Sequence, residues 1–209
     1  MNKLGWIWLF LLFIANCSSQ KSPEVESVSG ATIAVLKTEE TKIPILEPEN
    51  MGTKAIIFLY SSPQGNTRKI AEAIATKINA PIFDIDIMDL ENIDFTGLDE
   101  YQIMGFGSGI DSGRHFQQML DFANTLPFVQ NKRAFIFSTS GIFNETKMFK
   151  DHEAIRNILQ QKGFTIIEEF GCLGHNTNSF LKFFGGMNKG RPNAEDIKNA
   201  EAFAEKLIE

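Results

Sequence analysis

The sequence predicts an α/β protein, built as a three-layer, doubly wound, mostly parallel five-stranded sheet with helices on both faces. Three observations carry this reading. From Ala55 onward, five apolar strand-like runs alternate with helix-like stretches. The continuously apolar runs among them fit strands buried on both faces better than a one-sided antiparallel sheet. The first, third and fourth runs each end in a loop of Gly, Ser and Thr. Those strand ends are where open α/β sheets hold ligands.

Each element has its own reason. Ala55–Tyr60, AIIFLY, is the first strand. Residues 67–79 form a helix, with Ile70, Ile74 and Ile78 spaced by four and Ala71 and Ala75 beside them. Residues 81–87 alternate as a second strand, and 90–98 read as loop with a helical turn. Residues 101–107 are the third strand. Residues 113–126 are a helix with Phe116, Met119, Leu120 and Ala123 inward. Residues 132–138 are the fourth strand, and 149–161 a helix around His152, Ile155, Ile158 and Leu159. Residues 164–170 are the fifth strand. Residues 193–208 are the last helix, with Ile197, Ala200, Phe203, Ala204 and Leu207 inward. Asn193, with Asp196 three residues on, is placed as a capping-box start.

Composition narrows the classes. The chain has 209 residues and a formal net charge of -6. That balance, without any Lys/Arg block, excludes a duplex nucleic-acid binder. Nineteen Phe against 2 Tyr and 2 Trp predict a Phe-packed core. Two distant cysteines make no disulfide framework.

Residues 1–17 form a separate object. Lys3 precedes an apolar run over residues 4–15, the architecture of an export signal and short of the roughly 20 residues a spanning helix needs. Ile14-Ala15-Asn16-Cys17, followed by Ser18-Ser19, resembles a bacterial lipoprotein lipobox, with Asn16 in place of the usual small residue. The resemblance implies cleavage, lipidation of Cys17 and an extracytoplasmic, membrane-associated protein. Residues 18–51, rich in Lys, Glu, Pro, Ser and Thr, read as a flexible tether. The folded domain is expected over 52–209. A true start near Met51 would make it cytoplasmic instead.

The first loop reads Ser61-Ser62-Pro63-Gln64-Gly65-Asn66-Thr67. It is neither a Walker loop nor a GxGxxG fingerprint. Ser62 and Thr67 offer hydroxyls, Gly65 lets backbone approach closely, and Asn66 with the helix-start N–H groups completes an anion cradle. An ordinary capped strand–helix turn has the same composition.

Ser62-Pro63-Gln64-Gly65-Asn66-Thr67, continued by Arg68-Lys69-Ile70-Ala71-Glu72, resembles the flavodoxin pattern Thr/Ser-x-Thr-Gly-x-Thr, with Gln64 replacing the second hydroxyl. The likeness in order and spacing extends over residues 54–207. It implies a flavodoxin-like sheet of order 2-1-3-4-5 holding non-covalent FMN. Ser61, Ser62, Gln64, Gly65, Asn66 and Thr67 would then hold the phosphate. Gly107, Ser108 and Gly109, and Thr139, Ser140, Gly141 and Phe143, would flank the ring, with Phe143 the aromatic candidate. Cys172-Leu173-Gly174 and residues 185–193, GGMNKGRPN, resemble flavodoxin-like proteins carrying the same two elements. The second reads physically as a rigid lead-in to the last helix. His175-Asn176-Thr177-Asn178 is placed to line an opening for substrate or partner.

Other chemistry is thinner. Cys172 lacks a CxxC partner and reads as a buried thiol. His115, His152 and His175 lack metal-ligand spacing. His115 lies near the presumed ring loop. Asp84, Asp86 and Asp89 read as solvated, and without GxSxG a Ser-His-Asp hydrolase is unsupported. The leading expectation is therefore an FMN-binding electron-transfer protein at a membrane surface, exchanging electrons with a redox protein or small molecule. The alternatives are an NAD(P)H-dependent quinone or small-molecule reductase and a flavin-free binding or structural lipoprotein.

Overall fold

The protein is described from a computed structural model covering residues 53–85, 90, 92–177 and 185–209. The expected signal, lipobox and tether, together with Asp86, Asp89 and Asn178, lie outside these residues. Among the described residues no helix is long and apolar enough to cross a membrane.

Five parallel strands form the sheet: β1 (Ala55–Tyr60), β2 (Ile82–Asp84), β3 (Ile103–Asp111), β5 (Lys132–Ser140) and β6 (Phe164–Leu173). Their spatial order is β2-β1-β3-β5-β6. Counting the parallel strands alone, this is the expected 2-1-3-4-5. A sixth strand, β4 (Arg114–His115), pairs antiparallel with the end of β3 and stands outside the main path. The helices are α1 (Asn66–Ile78), α2 (Gln117–Thr125), α3 (Glu145–Asp151), α4 (Glu153–Gln161) and α5 (Ala194–Leu207).

Strand alternation divides the core in two. Ile56, Phe58, Met104, Phe106 and Ile136 meet residues of α2 and α4 on one face. Ile57, Leu59, Phe135 and Phe137 meet α1 and α5 on the other. Phe does much of the filling: Phe58 lies 5.4 Å from Phe106 and 4.9 Å from Phe122 by ring centroid. Each such ring, fully buried, stabilises by about 1.5–3 kcal/mol. The isoleucine and alanine stripe of α1 is buried as expected. Asn193 and Asp196 form a reciprocal capping box on α5.

Three expectations are corrected. First, Ser108 and Gly109 are not loop but strand, continuing β3 from Gly107 and paired with Tyr60 on one side and Ser138 and Thr139 on the other. Glycine here makes room for cross-strand rings. A Cβ on Gly105 would stand 2.3 Å from Phe135 Cζ, and one on Gly107 2.0 Å from Phe137 Cζ. Composition that reads as loop is thus a packing device.

Second, the helix expected from residue 113 begins at Gln117, because residues 110–115 form a hairpin. Ser112 (φ 51°) and Gly113 (φ 80°) both occupy the left-handed region, as a tight turn whose twist matches its strands requires.

Third, the helix expected over 149–161 is two helices, meeting at His152. Asn144 caps α3 by accepting from Lys147 N–H at 2.8 Å. His152 turns fully inward. A register shift between Ala134 and Phe135 brings Glu169, rather than Glu168, opposite Ile136. The bulge thereby aims Glu169 at the α4 side.

Candidate functional site

A cleft of about 340 Å³ lies at the C-terminal ends of β1, β3 and β5, where a doubly wound sheet is expected to bind ligands. Its lining draws on the turn after β1, the β3 end, the β5 end and residues 174–177 after β6. Among the described residues no Asp, Glu, Lys or Arg lines it.

The turn is closed by Gly65 N–H donating to Ser62 O at 2.9 Å. Gly65 has φ 68° and stands at the start of α1 without side-chain capping. A Cβ there would meet open space, so glycine serves the backbone angle rather than packing. The helix ladder begins with Lys69 N–H to Gly65 O at 3.3 Å. First-turn N–H groups have no partner inside a helix and suit an anion.

Side chains of this turn divide their work. Ser62, Gln64 and Asn66 line the cleft. Asn66 Nδ2 donates to His175 O at 2.8 Å, and Gln64 Nε2 to Thr177 Oγ1 at 3.2 Å. Both amides tie the segment after β6 onto the turn, so the glutamine in place of a hydroxyl gains a structural partner. Ser61 Oγ donates back to Ser62 O at 3.3 Å. Thr67 is buried, its Oγ1 2.8 Å from Thr139 Oγ1, and lies off the lining.

The remaining expected residues also separate. Gly109, Thr139, Ser140 and Gly141 line the cleft. Gly107 and Ser108 lie beneath it, buried in the sheet. Phe143, expected as the ring aromatic, is off the lining; one edge of its ring lies against Gly171. Among the described residues the aromatics that line the cleft are Tyr60 and Phe116, edge to face at 5.8 Å. Sequence reasoning missed both. Tyr60 is the polar-tipped last residue of an apolar strand, a usable signal. Phe116 reads as helix core until the hairpin moves the helix start past it.

Residues 174–177 and 185–193 complete one wall. Gly174 N–H donates to Ser140 O at 2.8 Å, Asn188 Nδ2 to Gly141 O at 2.7 Å, and Asn176 pairs with Met187. A Cβ on Gly141 would stand 2.9 Å from Asn176 Nδ2. The expected lead-in to α5 thus also braces the cleft, and His175, Asn176 and Thr177 line it.

Beneath the cleft runs a polar line the sequence did not disclose. Ser138 Oγ is 2.8 Å from His152 Nε2, and His152 Nδ1 is 2.8 Å from Glu169 Oε2. Arg156 grips Glu169 with Nε at 2.5 Å and Nη2 at 2.7 Å. Burial pushes the Glu169 carboxyl up, but hydrogen bonds from His152 and Arg156 prevail and hold it at about 2. The connectivity is that of a Ser-His-acid triad. Ser138 is only 3% exposed and off the cleft, so it does not act as an accessible nucleophile.

His115 is buried too, and off the cleft lining. Its ring lies 4.8 Å from that of His152, and its Nε2 is 3.4 Å from Phe137 O. Its Nδ1 has no partner. Burial, and then the neighbouring His152, lower its pKa to about 3, so it is neutral. Cys172 is a buried free thiol, pushed up to about 12 by burial and by Asp196.

Comparison with known proteins agrees with this architecture. A family model described as flavodoxin domain matches residues 57–207. An uncharacterised protein of Methanocaldococcus jannaschii is 41% identical over 155 residues, covering 74% of this chain and 98% of its own. Among solved structures, a short-chain flavodoxin associated with a non-canonical PDU bacterial microcompartment aligns with TM-score 0.52 and 17% identity, covering 76% of this chain and 97% of that one. Oxidised flavodoxin 1 from Bacillus cereus aligns with TM-score 0.51 and 19% identity, covering 74% and 97%. With the matched model spanning most of the described domain, the chain belongs to the flavodoxin domain family.

Proposed function

We propose that the cleft binds FMN and that the protein is an electron carrier of the flavodoxin type. The observation that supports this most is the pairing of an uncapped, uncharged anion turn with an aromatic corner in one cleft. A flavin mononucleotide needs both: donors for a phosphate and a flat apolar wall for a ring.

The residues fit the group. Among the described residues no carboxylate lines the cleft to repel a phosphate. Ser62 and the backbone N–H groups of the turn would take the phosphate, since Asn66 and Gln64 are tied to the segment after β6. Tyr60 and Phe116 would border the ring, with Gly109 and Gly141 allowing close backbone approach. When bound, FMN would supply reversible electron uptake; the protein would supply orientation, a dry apolar edge and fixed dipoles. These neutral donors would hold the phosphate through hydrogen bonds rather than through an ion pair.

The second reading is an NAD(P)H-dependent quinone or small-molecule reductase using the same cleft. The lipid anchor at Cys17 and an extracytoplasmic membrane position belong to the same proposal and rest on the amino-terminal sequence alone. The test is titration of FMN with purified protein, read by quenching of FMN fluorescence. Saturable one-to-one quenching is expected, with slow NADPH-dependent quinone reduction by the loaded protein. No quenching would sink the flavin reading; rapid NADPH turnover would transfer it to the reductase.

A further inference from the structure

The line below the cleft does not stop at Ser138. Ser138 on β5 pairs in register with Ser108 on β3, and strand alternation puts both on the α2/α4 face. Ser108 Oγ donates to Gly109 O at 3.0 Å and accepts from Phe116 N–H at 3.3 Å. Gly109 and Phe116 both line the cleft. Polar groups therefore succeed one another from Arg156 through Glu169, His152, Ser138 and Ser108 to the cleft wall, crossing three adjacent strands.

The imidazole in this line has a direction. Glu169 is ionised and accepts from His152 Nδ1–H, so whenever the ring carries one proton its Nε2 accepts the Ser138 hydroxyl. Protonation at Nε2 reverses that bond: the ring becomes donor and the Ser138 hydroxyl must turn to a new acceptor. Its lateral neighbour is Ser108.

The groups facing His152 are few. They are His115 from β4, Ser138 from β5, Glu169 from β6, Arg156 from α4 and, adjoining it on α3, Asp151, which is buried and paired with Lys147. The buried residues of α2 are apolar. His115, held neutral chiefly by burial, is the other imidazole of the cluster.

We infer that His152 is a positioning residue of the cleft, coupling one proton to the redox state of the bound ligand through the Ser138 and Ser108 hydroxyls. This rests on the flavin reading above. Negative charge arriving in the cleft favours the imidazolium, and by reciprocity a protonated His152 favours the reduced ligand. Electrons enter the ligand from an external donor, and the proton comes from solvent; no bond to His152 other than its N–H changes.

The test is an NMR titration of ¹⁵N-histidine-labelled full-length protein loaded with FMN, oxidised and then dithionite-reduced, with His152 assigned by its loss in His152→Asn. The expected result is a His152 midpoint about half a unit or more higher in the reduced form, a threefold coupling. In Ser138→Ala and Ser108→Ala that difference shrinks. If FMN binds and the midpoints coincide, the inference fails while the flavin reading stands. A difference that persists unchanged in both serine variants overturns the hydroxyl path. If FMN does not bind, the flavin reading fails first and this inference falls with it.

Discussion

Thr67 on α1 and Thr139 on β5 join their hydroxyls at 2.8 Å, both buried, directly below the anion turn. The bond ties the start of the helix to the strand whose end lines the cleft. Removing one hydroxyl leaves the other buried without its partner. Thr67→Val and Thr139→Val should each destabilise by about 1–3 kcal/mol in urea unfolding, and the double variant should lose less than their sum. Additive losses would show that the two hydroxyls do not depend on each other.

Glycine positions separate packing from backbone angle. Gly107→Ala places a methyl group 2.0 Å from Phe137 Cζ, in a fully buried strand. It should destabilise by about 1–3 kcal/mol or more. Gly65→Ala meets open space but at φ 68°, so it should cost about 1–2 kcal/mol and weaken FMN through the turn. Thermal melts with and without FMN distinguish the two. Ligand should rescue the wild type and Gly107→Ala by similar amounts, and Gly65→Ala by less.

These glycines also explain what the sequence could and could not disclose. The continuous apolar runs specify a parallel sheet, and the spacing of Ile70, Ile74 and Ile78 specifies a helix face, because both patterns are local. Gly107-Ser108-Gly109 reads as a loop start because the rings that need its empty space, Phe137 and Phe116, lie on another strand and beyond a hairpin. Tyr60 and Phe116 become a cleft wall only when a hairpin, made by Ser112 and Gly113, shifts the start of α2. Ser138, His152 and Glu169 are separated in sequence and meet through a helix break and a bulge. Such meetings carry no short-range signal.

Acid sensitivity follows from two buried groups with different windows. The folded pKa of His115 is lowered to about 3 from 6.5, so the unfolded chain binds the extra proton. Stability from keeping it neutral is present above 6.5 and is lost as pH falls toward 3, by up to about 1.4 kcal/mol per pH unit. Glu169 is depressed from 4.5 to about 2, so its contribution is full above 4.5 and is lost below that. In urea unfolding, His115→Gln should flatten the decline between pH 6.5 and 4.5 while leaving the lower limb. Glu169→Gln should lose stability at neutral pH and flatten the lower limb.

Cys172 should be inert while the protein is folded. Its thiol is buried and pushed up to about 12, so almost none is thiolate at pH 8. In a Cys17→Ser chain, Ellman's reagent should react only as fast as the protein opens, and urea should release one thiol per chain. Prompt reaction in native buffer would contradict the placement of β6 against α5.

The aromatic corner bears most directly on the proposed ligand. Tyr60 and Phe116 stand edge to face, so one ring braces the other, and Tyr60 also closes the sheet's first strand. A planar ring bordering them gains contact from both, and an aromatic partner for a base-like ring contributes about 1–3 kcal/mol. Phe116→Ala and Tyr60→Ala should therefore each weaken FMN by roughly 5- to 150-fold. Phe143→Ala, off the lining, should leave FMN affinity within about threefold, a change of under 1 kcal/mol. Fluorescence titration of the three variants decides between the two aromatic sites. A larger loss at Phe143 than at Phe116 would move the ring to the α3 side of the β5 loop.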